Sequence, residues 1–106
     1  INGDGSQTRT FCYIDDSIQA QINCMNKNFY VNDVLNIGNE YEITILDLAK
    51  LVIKLTGSNS KIIHRDPLKE GDMTRRKPDI EKMKIVLNRE LLSLDDGIKK
   101  VCEFLK

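Results

Sequence analysis

Hydrophobic positions along this chain fall into short unbroken runs and longer stripes of helical spacing, and the two kinds alternate. Phe11–Ile14, Val34–Ile37 and Lys61–His64 are short and mostly apolar, and the second closes on Gly38, the pattern of buried strands bounded by turns. Between them lie stripes at three- and four-residue spacing. Ile18, Ile22 and Met25 predict a helix capped by Asp15 or Asp16 and stopped near Asn26 and Asn28. Ile45, Leu48, Ala49, Val52 and Leu55 predict a second, with Thr44 and Asp47 as its capping box and Gly57 as its end. Pro67 to Pro78 is polar and rich in breakers, hence a loop. Asp79 caps a predicted helix through Leu87, and Ser93 with Asp96 opens a final one with the stripe Leu94, Ile98, Val101 and Leu105.

Strands alternating with helices predict an α/β fold, a short parallel sheet with flanking helices. No repeat or linker divides residues 1–106, so they are read as one domain with room for one core.

Composition narrows the function. Sixteen basic and sixteen acidic side chains cancel, so no global field gathers nucleic acid or an anionic membrane, and any anion site must be local. No apolar run is long enough to span a bilayer. Cys12, Cys24 and Cys102 are odd in number and lack a CxxC or a histidine pair, which points to reduced thiols and a cytoplasmic protein rather than disulfides or zinc.

Two stretches offer chemistry. In Gly3-Asp4-Gly5-Ser6-Gln7-Thr8-Arg9 the glycines permit close backbone approach, and Arg9 presents a donor fork that matches a phosphate or carboxylate. A plain turn with a solvated arginine fits the same residues. In Asp72–Asp79, Arg75, Arg76 and Lys77 precede a helix N-terminus, where added cations are unfavourable unless an anion joins them; a solvated loop balanced by Asp72, Asp79 and Glu81 is the other reading. His64 has no triad partners and reads as structural. Asn36, ending an apolar run, either caps the next turn or faces a ligand at the sheet's carboxyl edge.

The stretches "GDGSQTRTFCYIDD", "LNIGNEYEITILDLAKLVIKLTGS" and "RRKPDIEKMK", in this order, resemble the C-terminal part of the extended short-chain dehydrogenase/reductase family of NAD-dependent sugar-nucleotide enzymes, in its UDP-glucuronate decarboxylase branch. The resemblance covers nearly the whole chain. It implies a substrate-binding C-terminal lobe of a larger enzyme. NAD would be held by an N-terminal Rossmann domain that these residues lack, since neither G-x-x-G-x-x-G nor Y-x-x-x-K occurs here. It further implies a UDP-sugar substrate, a homodimeric parent enzyme making UDP-xylose, and a 106-residue piece inactive by itself. By the family's motifs, Arg9 with Gln7 would grip the diphosphate, Arg76 would meet the diphosphate or the sugar carboxylate and assist the reaction, and Asn36 would approach the diphosphate. A dTDP-glucose 4,6-dehydratase, a UDP-sugar 4-epimerase, and a non-catalytic anion- or protein-binding module are the competing readings. One departure stands out: where the family has Gly-Trp-x-Pro, this chain has Asn88-Arg89-Glu90-Leu91, one residue shorter and without tryptophan.

Overall fold

A computed structural model describes all residues, Ile1–Lys106. It contains β1 (Thr8–Arg9), α1 (Ile14–Lys27), β2 (Ile43–Thr44), α2 (Ile45–Thr56), α3 (Glu81–Leu87) and α4 (Leu94–Phe104). The class is α/β, but the expected parallel sheet is corrected: β1 and β2 pair antiparallel, Thr8 opposite Thr44 and Arg9 opposite Ile43. The N–H groups of Ile45 and Leu46 extend the ribbon by donating to the carbonyls of Gln7 and Gly5. Gly5 makes this possible, since its φ is +81° and a Cβ there would lie 3.0 Å from that of Leu46.

Parallel contact is confined to single bridges, Asn2 with Arg65 and Thr8 with Arg75. The three apolar runs do not build the sheet, each for its own reason. Phe11–Ile14 feeds directly into α1, whose N-cap is Tyr13. Val34–Ile37 meets no neighbouring strand, and its half-buried Leu35 and Ile37 pack on the core instead. Lys61–His64 runs beside the first residues, with the Ile1 ammonium donating to the Ile63 carbonyl at 2.9 Å and His64 Nδ1 2.8 Å from the Gly3 oxygen.

Local signals set the helix ends. Thr44 Oγ1 and Ser93 Oγ accept the N–H groups of Asp47 and Asp96, and Gly57 closes α2 in the left-handed region. Asp79 Oδ1 accepts the Glu81 N–H, just ahead of α3.

Helix α1 packs on α3, and α2 on α4. Ala20, Ile80, Met83 and Leu87 form the core, flanked by Cys12, Leu35, Ile37 and Leu91. Gly38 lets Pro78 close on this core, since a Cβ at Gly38 would sit 2.9 Å from the proline ring. Burial raises the Cys12 thiol above its ordinary pKa, and all three cysteines are free.

The α1 stripe is a second correction. Its inner face carries Asp16, 2% exposed, and Ala20, whereas Ile18, Ile22 and Met25 are 46%, 43% and 79% exposed. Nor does Asp16 cap the helix. Its Oδ1 accepts from Arg89 Nη1 at 2.6 Å and its Oδ2 from the Leu92 N–H at 2.8 Å. Arg89 is thus held by a buried carboxylate, which ties the start of α1 to the turn between α3 and α4.

Candidate nucleotide-sugar site

The antiparallel ribbon and the Thr8–Arg75 bridge bring the opening loop and the basic loop together. The Thr8 N–H donates to the Thr74 carbonyl at 2.9 Å. On one side of this junction Glu42 collects three bonds: from Thr8 Oγ1 at 3.0 Å, and from Arg75 Nε and Nη2 at 2.7 and 2.8 Å. The paired Arg75 guanidinium holds the Glu42 carboxyl down at about 2, against an ordinary 4.5, and Glu42 in turn raises Arg75. Arg75 is therefore engaged within the chain.

The residues that follow Thr8 and Arg75 across this bridge have other partners. Those residues are Arg9 and Arg76. Arg9 Nη2 meets Asp72 Oδ1 at 2.6 Å, and its Nη1 donates to the Thr8 carbonyl at 2.7 Å. Gln7 Nε2 donates to the Asn2 carbonyl at 3.2 Å and to Asp72 Oδ2 at 3.4 Å. Arg76 makes no ion pair; its Nη2 rests 3.1 Å from the Met73 sulfur, a weak acceptor. The three arginines thus differ in what they have to spare: Arg75 is clamped bidentately, Arg9 is held by one carboxylate oxygen, and Arg76 retains its donors.

Asn36 contacts the far end of the basic loop, its Nδ2 donating to the Asp79 carbonyl at 3.1 Å. A cleft of about 430 Å³ opens at the Gln7–Asp72 contact, lined also by Gly3, Ser6, Pro67 and Thr74. An apolar groove of about 440 Å³ between α2 and α4, lined by Phe11, Leu48, Val52, Ile98 and Leu105, carries no charged side chain. Sequence reasoning named Asp72 as a counter-charge of the basic loop, and the structure pairs it with Arg9; Glu42, the partner of Arg75, it missed.

Glu42→Gln keeps the shape and removes the charge. Because the Glu42 pKa is depressed in the fold, its contribution is fully present above pH 4.5 and is lost as pH falls toward about 2. With Arg75 67% exposed the effect is small and screened by salt. In urea melts from pH 7 to 2, the wild type's advantage over Glu42→Gln is expected to shrink below pH 4.5. Parallel pH profiles for the two proteins would rule out the pair as the source.

No family model matches the chain. Among curated relatives it is 37% identical over 105 residues to UDP-glucuronic acid decarboxylase 1 of Danio rerio, covering 98% of this chain and 24% of that protein. Among solved structures it matches the Thermotoga maritima UDP-glucose 4-epimerase crystallised with UDP-glucose, with TM-score 0.85 and 32% identity, over 99% of this chain and 33% of that one. It also matches the Bacillus cereus UDP-glucuronic acid 4-epimerase in complex with UDP-glucuronic acid and NAD, with TM-score 0.82 and 29% identity, over 100% of this chain and 35% of that one. The chain thus spans about a quarter to a third of the length of the relatives it matches. In sequence and in fold it corresponds to the C-terminal part of an extended short-chain dehydrogenase/reductase of the sugar-nucleotide epimerase, dehydratase and decarboxylase group.

Proposed function

We propose that this chain is the nucleotide-sugar-binding lobe of an NAD-dependent UDP-sugar decarboxylase acting on UDP-glucuronate. The observation that supports the reading is the Thr8–Arg75 bridge, which joins the loop of Arg9 to the loop of Arg76 while Arg75 is spent on Glu42. Two guanidinium groups outside that pair suit a ligand with two anionic parts, a pyrophosphate and a sugar carboxylate. Arg9 grips the pyrophosphate with Gln7 beside it, and Arg76 takes the carboxylate or a second phosphate oxygen, so that it assists the reaction by holding charge in place. Asn36 acts behind them, fixing the Asp79 end of the loop that carries Arg76.

These residues do not themselves fit a dinucleotide, having neither the glycine fingerprint nor the tyrosine-lysine pair. NAD belongs to a separate cofactor domain, and this lobe's part in the chemistry is confined to the substrate. A cytoplasmic homodimer belongs to the same reading; the balanced charge gives no field for nucleic acid, and no helix is long and apolar enough to cross a membrane.

A 4-epimerase is the second reading, favoured by the two epimerase structures that this fold matches. The test is to supply UDP-glucuronate to the full-length enzyme and follow released CO2 together with the nucleotide-sugar product. CO2 with UDP-pentose is expected. A 4-epimer of the substrate without CO2 would replace decarboxylase by epimerase.

A further inference from the structure

The two side chains placed at the pyrophosphate share one acid. Arg9 Nη2 donates to Asp72 Oδ1 at 2.6 Å and Gln7 Nε2 to Asp72 Oδ2 at 3.4 Å, so the two oxygens of a single carboxylate take the donors that two oxygens of a phosphate would take. The Asp72 side chain makes no other hydrogen bond. It stands at a rim, not in a core. The carboxylate lines the cleft of about 430 Å³ and is 27% exposed, and the Arg9 side chain is 20% exposed. Gly71, just before it, lies in the left-handed region at φ +84° with open space where a Cβ would be, and Leu68 to Met73 are all exposed. Nothing packed has to be undone for this carboxylate to leave. The next residues are fixed by contrast, Thr74 by the Thr8 N–H and Arg75 by Glu42, so the loop stays attached while Asp72 turns.

We propose that Asp72 is a displaceable stand-in for the ligand's phosphate: it holds Arg9 and Gln7 until a diphosphate takes the same donors, and by competing for them it lowers the affinity of the site for that anion. The inference rests on the functional reading above, which puts the diphosphate on Arg9. Electrostatics drives the exchange. A diphosphate seated on the Arg9 fork with Asp72 still 2.6 Å from it would crowd two anions around one guanidinium, where like charges a few ångström apart repel. The diphosphate brings more charge and more acceptor oxygens than one carboxylate, and Asp72 has the cleft and water to turn into. Asp4, the other acid on the cleft, is no competitor, since its Oδ1 accepts the Ser6 N–H at 2.9 Å and it bonds neither Arg9 nor Gln7. A fixed orienting role for Asp72 makes the opposite demand, because an acid that only aims Arg9 strengthens ligand binding.

The experiment titrates the full-length enzyme calorimetrically with UDP and with inorganic pyrophosphate, neither of which requires turnover. Asp72→Asn keeps the shape of the side chain and removes the competing charge. It is expected to tighten both ligands by about three- to ten-fold, between the worth of an exposed ion pair and that of a charged hydrogen bond. Asp4→Asn removes a charge from the same cleft and is expected to change either affinity by less than about two-fold. In an Arg9→Ala background the gain from Asp72→Asn is expected to vanish, because the donor competed for is gone. Asp72→Ser is the second variant, with the same expectation, so that a folding defect in one does not decide the matter. Unchanged or weaker binding in a variant whose Tm matches the wild type overturns the proposal. An equal gain from Asp4→Asn, or a gain that survives Arg9→Ala, traces the effect to the general field of the cleft and overturns it as well. UDP affinity indifferent to Arg9→Ala takes down the functional reading and this proposal together, whereas a loss at Arg9→Ala without a gain at Asp72→Asn removes this proposal alone.

Discussion

Asp16→Ala is expected to cost this fold about 3 kcal/mol, a large share of what a domain with so thin a core has to lose. The carboxylate is 2% exposed and serves two donors in different segments, the Arg89 guanidinium and the Leu92 N–H. Truncation leaves a cavity beneath α1 and an unmatched Leu92 N–H. Arg89, 44% exposed at its side chain, turns back to water at little cost. The converse change is harsher in kind: Arg89→Ala leaves a buried carboxylate with the Leu92 N–H as its one donor, and is expected to cost at least as much as Asp16→Ala. Asp16→Asn, which keeps an acceptor but no charge, should fall between wild type and alanine. Urea unfolding of the three variants checks this, and a loss below about 1 kcal/mol for Asp16→Ala would show that the clamp does not hold the α1 end to the α3–α4 turn.

That clamp marks the limit of what the sequence discloses. Asp16 lies where a helix cap belongs, and its partners are 73 and 76 residues away, so nothing local distinguishes a cap from a buried ion pair. What is decided within a few residues was legible: the Thr44–Asp47 and Ser93–Asp96 caps and the Gly57 stop follow from side chains that reach their own backbone. What is decided at long range was not. The antiparallel register joins residues 34 and 36 apart, and alternation of runs and stripes carries no information about strand direction. The α1 stripe is instructive in another way. Periodicity shows that Ile18, Ile22 and Met25 share a face, and says nothing of whether that face meets this chain's core or another body.

The candidate site divides in the same way. Arg9 and Arg76 stand out because cations beside turn residues suit a bound anion; Gln7 comes only from the family resemblance, which also strengthens the other two. Glu42 does not stand out, since an acid distant in sequence becomes a counter-ion only when folding delivers it. Which of two adjacent arginines is spent internally depends on the Thr8–Arg75 register, which no linear pattern encodes.

Arg9→Ala in the full-length enzyme is expected to weaken UDP binding by about 10- to 100-fold, the equivalent of losing charged hydrogen bonds worth about 1.5–3 kcal/mol. Its dissection from Arg76 tests the whole arrangement. If Arg9 holds the pyrophosphate, Arg9→Ala penalises UDP and UDP-glucuronate alike. If Arg76 faces the carboxylate, Arg76→Ala penalises UDP-glucuronate by a further factor of about ten over UDP, which carries no such group. Arg75→Ala should leave both affinities within about three-fold, because its donors are committed to Glu42. Calorimetric titration of the three variants with both ligands separates these cases. Affinity for UDP untouched by Arg9→Ala removes that residue from the site, and equal penalties on both ligands from Arg76→Ala move its contact from the carboxylate to the diphosphate. A large effect at Arg75 with none at Arg76 would mean that the Arg75–Glu42 pair opens when ligand binds, and the pairing of Arg9 with Arg76 would fall with it.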